Sequence, residues 1–164
     1  MHELLSQAEL FENLHGEGFR RIAAIGRERT LNPGDYLFLL GDRADDLYVI
    51  VKGKLDLCFP MSLGGIVKDI PVESAGPGKV LGWSALVKPF RFTLSARAAE
   101  TTEVIGLPRA ELLQVFEAAP RVGYEVVTRL AELVGIRLLT FQALWVRELQ
   151  RSLLADSQQQ ATSA

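Results

Sequence analysis

A chain of 164 residues, 48% hydrophobic and 23% charged, is long enough to bury a core and has a globular rather than a disordered composition. Its formal net charge of -2 supplies no overall attraction for nucleic acid, and its single cysteine, Cys58, excludes an intramolecular disulfide framework and a multi-cysteine zinc site. No apolar run reaches the roughly 18 residues of a membrane span, and the opening MHELLSQAELFENL carries acids where a secretory leader carries bases, so a cytoplasmic protein without membrane contact is expected.

In chain order, residues 1–26 read as an N-terminal helical segment. Leu10, Phe11, Leu14, Phe19, Ile22, Ala23 and Ile25 recur at helical spacing, and Gly16 and Gly18 are expected to break the run into two short helices. Residues 27–108 are dense in short strands separated by turn residues. Asn32-Pro33-Gly34-Asp35 is a turn, followed by strands at Tyr36-Leu37-Phe38-Leu39 and Leu47–Val51. Lys52-Gly53-Lys54 is a hairpin turn before a strand at Leu55–Phe59. This regular spacing predicts a mostly-β sandwich or barrel rather than alternating βα units.

The stretch from Gly76 to Ala98 holds the chemistry. A Gly-Pro-Gly turn leads to a short strand, Val80-Leu81; Gly82 then opens a short helical segment, WSALV. A loop containing Pro89 returns to a strand in which Thr93 and Ser95 alternate with Leu94 and Ala96. A glycine, a helix start and a returning strand bring free backbone N–H groups towards one small volume, which suits an anion. The candidate ligand residues are Gly82, Trp83, Ser84, Ala85, Arg91, Phe92, Thr93 and Ser95.

Residues 109–154 read as C-terminal helices: a short one at Arg109–Glu117, then a long one from Arg121 to about Leu154, with Pro120 in its first turn. Its apolar stripe runs past the length that a small barrel covers. Leu138, Phe141, Leu144, Trp145 and Leu149 are therefore expected to form a homodimer interface. Residues 155–164 read as a disordered polar tail.

Other candidate groups are ordinary. Cys58, His2 and His15 make no haem-attachment motif, and GPGKV lacks the spacing of a nucleotide-triphosphate loop. Asp42, Asp45 and Asp46 lack an EF-hand pattern and read as a solvated turn. Thr140 and Gln142, like Arg129, Arg137, Arg147 and Arg151, read as a solvated helix face. With no nucleophile–base arrangement, the expectation is a non-enzymatic protein without a metal or cofactor.

The order of elements, PGDYLFLLGDRADDLYVIVKGKLDL followed by VLGWSALV, resembles the cyclic nucleotide-binding domain of catabolite-activator-like proteins. The resemblance covers about Leu10 to Leu149 and rests on Gly34-Asp35, Gly41-Asp42, the Leu47–Gly53 strand and turn, and Gly82 with Ala85-Leu86. It implies an eight-stranded antiparallel β-roll with flanking N-terminal helices and a long C-terminal helix, and a cyclic nucleotide as ligand. In that family a glutamate after the glycine binds the ribose hydroxyl, and an arginine at the next strand pairs with the cyclic phosphate. Here Trp83 and Phe92 occupy those positions, with Thr93 beside the second. Arg91 comes one residue early, so strand alternation turns it away unless the Lys88-Pro89 loop bulges. Two readings follow: a sensor taking a cyclic nucleotide or another small anion but not cyclic AMP tightly, or a ligand-free interaction scaffold plugged by Trp83 and Phe92. The chain ends without the helix-turn-helix that such sensors append, so the expected output is a protein partner rather than direct DNA binding.

Overall fold

The computed structural model describes residues 2–162, with side chains described for 3–62 and 64–154. The chain divides into two compact units, residues 1–127 and 128–164. In the first, the described residues form eight strands: β1 (Arg27–Leu31), β2 (Tyr36–Phe38), β3 (Asp46–Lys52), β4 (Leu55–Leu63), β5 (Ile66–Ala75), β6 (Val80–Leu81), β7 (Ser95–Ala98) and β8 (Thr102–Pro108). They pair antiparallel in two four-stranded sheets, ordered β1-β8-β3-β6 and β2-β7-β4-β5. Inward side chains of both sheets meet in one core that includes Leu31, Phe38, Ile50, Leu55, Leu57, Leu81, Phe92, Ala96 and Val104. The eight-stranded antiparallel β-roll that the family resemblance implies is the fold observed.

Details differ from the sequence reading for local reasons. The N-terminal helices are α1 (His2–Ser6) and α2 (Gly16–Ala24), so Gly16 and Gly18 lie within α2 instead of breaking it. The break runs over residues 7–15, where Leu10, Phe11 and Leu14 are buried from a non-helical backbone. Gly18 is needed for packing: a Cβ there would lie 2.2 Å from Val122 Cγ2. Strand β4 runs to Leu63, beyond Phe59, and pairs along its length with β5, a strand that the sequence reading did not identify. The WSALV segment is a single 3-10 turn, Trp83–Ala85, and Thr93 precedes β7.

The hairpin turn between β3 and β4 depends on Gly53. Its φ is +84°, and a Cβ would meet the Thr101 carbonyl oxygen at 2.4 Å. Beyond β8, α3 (Arg109–Ala118) leads to α4 (Pro120–Thr162). At 43 residues α4 is longer than expected, about 65 Å at 1.5 Å per residue. Residues 155–162, expected in a disordered tail, continue the backbone of α4, and residues 163–164 lie outside the described residues.

In the second unit α4 leaves a series of large apolar side chains exposed, including Leu138, Phe141, Leu144, Trp145 and Leu149 at 42–68%. Among the described residues no helix is long and apolar enough to cross a membrane.

Candidate functional site

Gly82 makes the turn at the end of β6. Its φ of 73° is left-handed, and Ala85 N–H donates back to its carbonyl at 2.9 Å, closing the 3-10 turn. A side chain at this position would crowd Asp46 O at 3.0 Å, Phe92 Cε1 at 3.2 Å and Tyr48 Cδ2 at 3.3 Å. The glycine is thus flanked by two aromatic rings. Ser84 and Ala85 are buried behind it, and Trp83 is half-buried.

Phe92 occupies the middle of this arrangement. It is 5% exposed, belongs to the core, and stacks on Phe38 with ring centroids 3.8 Å apart and planes 11° apart. Phe38 stacks in turn on Tyr48 at 5.9 Å. Three rings from β2, β3 and the loop before β7 therefore form a layer beside the turn at Gly82. Burial, with the Asp46 carboxylate as a lesser cause, pushes the Tyr48 hydroxyl up to about 12. The layer thus carries no charge near neutral pH.

The backbone around Phe92 is pinned on both sides. Its N–H donates to Asp42 O at 3.0 Å, and its carbonyl accepts from Gly41 N–H at 2.8 Å. The exposed Arg91 forms a β-bridge with Arg43, and its Nη1 donates to the Gly41 carbonyl at 2.8 Å. Phe90, at a φ of 59°, holds Ala44 N–H through its carbonyl at 2.9 Å, and the Arg109 guanidinium lies 4.0 Å over its ring. This loop is a clasp made of main-chain bonds, the Arg91 side-chain bond to Gly41 and one cation–π contact.

The remaining candidates separate from Phe92. Thr93 is exposed. Ser95 is buried and its Oγ accepts from Leu40 N–H at 3.0 Å. It pairs with Cys58 across the sheet, on the face opposite Ala96, which lies in the core. Gly82, Trp83, Ser84 and Ala85 stay together as one turn, with Phe92 against it. Phe38, Tyr48 and Arg109 are the residues the sequence reading missed. The signal available for Phe38 was its place beside Leu37 in a short apolar strand, which does not reveal a stacking partner 54 positions away.

The chain matches the model of the cyclic nucleotide-binding domain over residues 28–119, more than half its length. It is 30% identical over 122 residues to the cyclic AMP receptor protein of Thermus thermophilus, which covers 74% of this chain and 55% of that protein. It is 32% identical over 126 residues to human patatin-like phospholipase domain-containing protein 6, covering 71% of this chain and 9% of that protein. The structure of the Thermus thermophilus catabolite activator protein superposes with a TM-score of 0.67 at 27% identity, covering 84% of this chain and 63% of that one. The chain therefore spans about half of the receptor protein it matches, and only a small part of the phospholipase. With the two-sheet roll, the turn at Gly82 and the match over residues 28–119 in agreement, the chain belongs to the cyclic nucleotide-binding domain family.

Proposed function

We propose that this chain is a non-enzymatic regulatory module in which Phe92 closes the nucleotide cradle against cyclic AMP, and in which output runs through self-association of α4 and a protein partner. The stack of Phe92 on Phe38 is the observation that carries this reading. A ligand placed beside Gly82 must first expel a buried phenyl ring. Re-exposing it costs about 1.5–3 kcal/mol in burial and about 0.5–1.5 kcal/mol in stacking. The cyclic phosphate would also lack a guanidinium, since Arg91 is engaged outside with Gly41. A buried anion left to backbone donors alone keeps most of its desolvation cost. The exposed apolar side chains of α4 support a two-fold homodimer as the state in which the module works.

The rival reading is a pocket of altered specificity, with Trp83 as an apolar lining. Thermal unfolding with a panel of cyclic mononucleotides and cyclic dinucleotides separates the two. Any ligand that binds the folded state raises the unfolding temperature by mass action. A closed cradle gives no shift with any of them, whereas a concentration-dependent shift with one establishes the altered pocket and overturns the closed one.

A further inference from the structure

Among the described residues two that are not glycine have a positive φ, Asn13 at 67° and Phe90 at 59°. Asparagine adopts that backbone readily, but a bulky aromatic residue does not. Such a residue keeps the conformation only where its surroundings impose it. Around Phe90 the main chain supplies two bonds: its N–H donates to Val87 O at 3.0 Å, and its carbonyl accepts from Ala44 N–H at 2.9 Å. A residue of any type could make both. The contact that needs this side chain is the Arg109 guanidinium, 4.0 Å over the ring.

Arg109 is the first residue of α3, and its own N–H donates to Asp45 O at 2.8 Å. It therefore stands on the same short segment that receives the loop. Gly41 N–H bonds to Phe92 O, Phe92 N–H to Asp42 O, and Ala44 N–H to Phe90 O. Between those bonds Arg43 and Arg91 face one another as a like-charged pair, which does not draw the two segments together. The Asp45 carboxylate answers Arg43, and the Gly41 carbonyl answers Arg91. Phe92 follows Phe90 by two residues, so its ring cannot swing away from Phe38 while this ladder is closed. We propose that Arg109 latches the cradle shut: from the start of α3 it holds Phe90 in its left-handed backbone, and Phe90 keeps Phe92 stacked in the core. This rests on the reading of Phe92 as the plug of the cradle, and adds the positioning residue that regulates it from outside.

Native-state amide hydrogen exchange by NMR on the full chain tests this, because exchange reports local opening bond by bond. Loss of the cation–π contact in Arg109→Ala is expected to speed exchange at Gly41, Ala44 and Phe92 by about two- to thirtyfold. Ile50 and Ala98, which donate to Lys79 O and Asp35 O, should exchange at the parent's rates. No acceleration at the first three, or the same acceleration at all five, overturns the latch. Arg109→Lys keeps the charge without the planar stack and should recover part of the protection; a lysine variant as fast as the alanine one overturns the cation–π contact as its basis. In a Phe90→Gly background, where φ is unstrained and the ring is gone, Arg109→Ala should change nothing further at the three amides. An acceleration equal to that in the parent overturns Phe90 as the route. The plug itself is tested separately by the cyclic nucleotide panel: unaccelerated amides without any thermal shift remove the latch and leave the cradle closed.

Discussion

Phe92 lies flat on Phe38, 3.8 Å between centroids, and the edge of the same ring fills the space a side chain at Gly82 would need, 3.2 Å from where its Cβ would lie. One side chain thereby joins the core to the turn at Gly82. The residue that the family resemblance matches to the phosphate-binding arginine lies in the hydrophobic interior.

Removing that ring leaves a hole next to Phe38, Tyr48 and Gly82. Phe92→Ala is expected to destabilise the fold by about 3–5 kcal/mol, read from urea unfolding. Arg91→Ala, which loses one exposed bond to the Gly41 carbonyl, should cost less than about 1.5 kcal/mol. Equal costs for the two would contradict the placement of Phe92 in the core.

Gly53→Ala should destabilise by at least about 1–2 kcal/mol, because the left-handed backbone resists a side chain and the Thr101 carbonyl blocks it. Gly76→Ala, where the φ is ordinary and nothing lies within 4 Å of the new methyl, should be near neutral. The comparison is made by denaturant midpoint in the two single variants.

The raised Tyr48 hydroxyl makes stability depend on pH at the alkaline end. Its ordinary value is 10.0 and the folded value is about 12. The folded state holds the proton that the unfolded chain releases, so this contribution is complete below pH 10 and is lost as pH rises towards 12. Unfolding free energies measured from pH 8 to 12 should fall across that window, and the fall should shrink in Tyr48→Phe. An unchanged slope in the variant would place the effect on another group.

The exposed face of α4 is expected to hold copies together. Phe141→Asp with Leu144→Asp introduces charge among the exposed apolar side chains of α4, and sedimentation velocity at tens of micromolar should show a smaller species than the parent. Because both side chains are solvent-exposed in the single chain, the variant should unfold at the parent's denaturant midpoint when both are measured at dilutions where the parent is monomeric.

Much of this architecture is legible in the sequence because the turns carry it. Asn32–Asp35, Lys52–Lys54 and Gly82 mark where strands must end, their spacing predicts a sandwich or barrel, and the family resemblance narrows it to the roll. What escapes is whatever depends on contacts between distant residues. Strand β5 hides because Lys68, Asp69, Glu73 and Ser74 interrupt its apolar pattern on a strand open to solvent. The stack of Phe92 on Phe38 hides for the same kind of reason, since nothing local distinguishes a ring that fills a pocket from one that lines it. Gly18 reads as a helix breaker, yet close packing against Val122 places it inside a helix.

The central claim is that Phe92 and Trp83 stand where a nucleotide would need an arginine and an acid. Isothermal calorimetry with cyclic AMP on the parent and on Trp83→Glu/Phe92→Arg, each checked for folding by circular dichroism, tests it most directly. The account predicts no measurable heat of binding for the parent. It predicts measurable affinity for the double variant, a gain of about ten- to a hundredfold or more from a restored guanidinium–phosphate contact worth about 1.5–3 kcal/mol. Tight binding of cyclic AMP by the parent would contradict it, because the Phe92 ring would then have to leave the core and Arg91 release Gly41 to receive the phosphate.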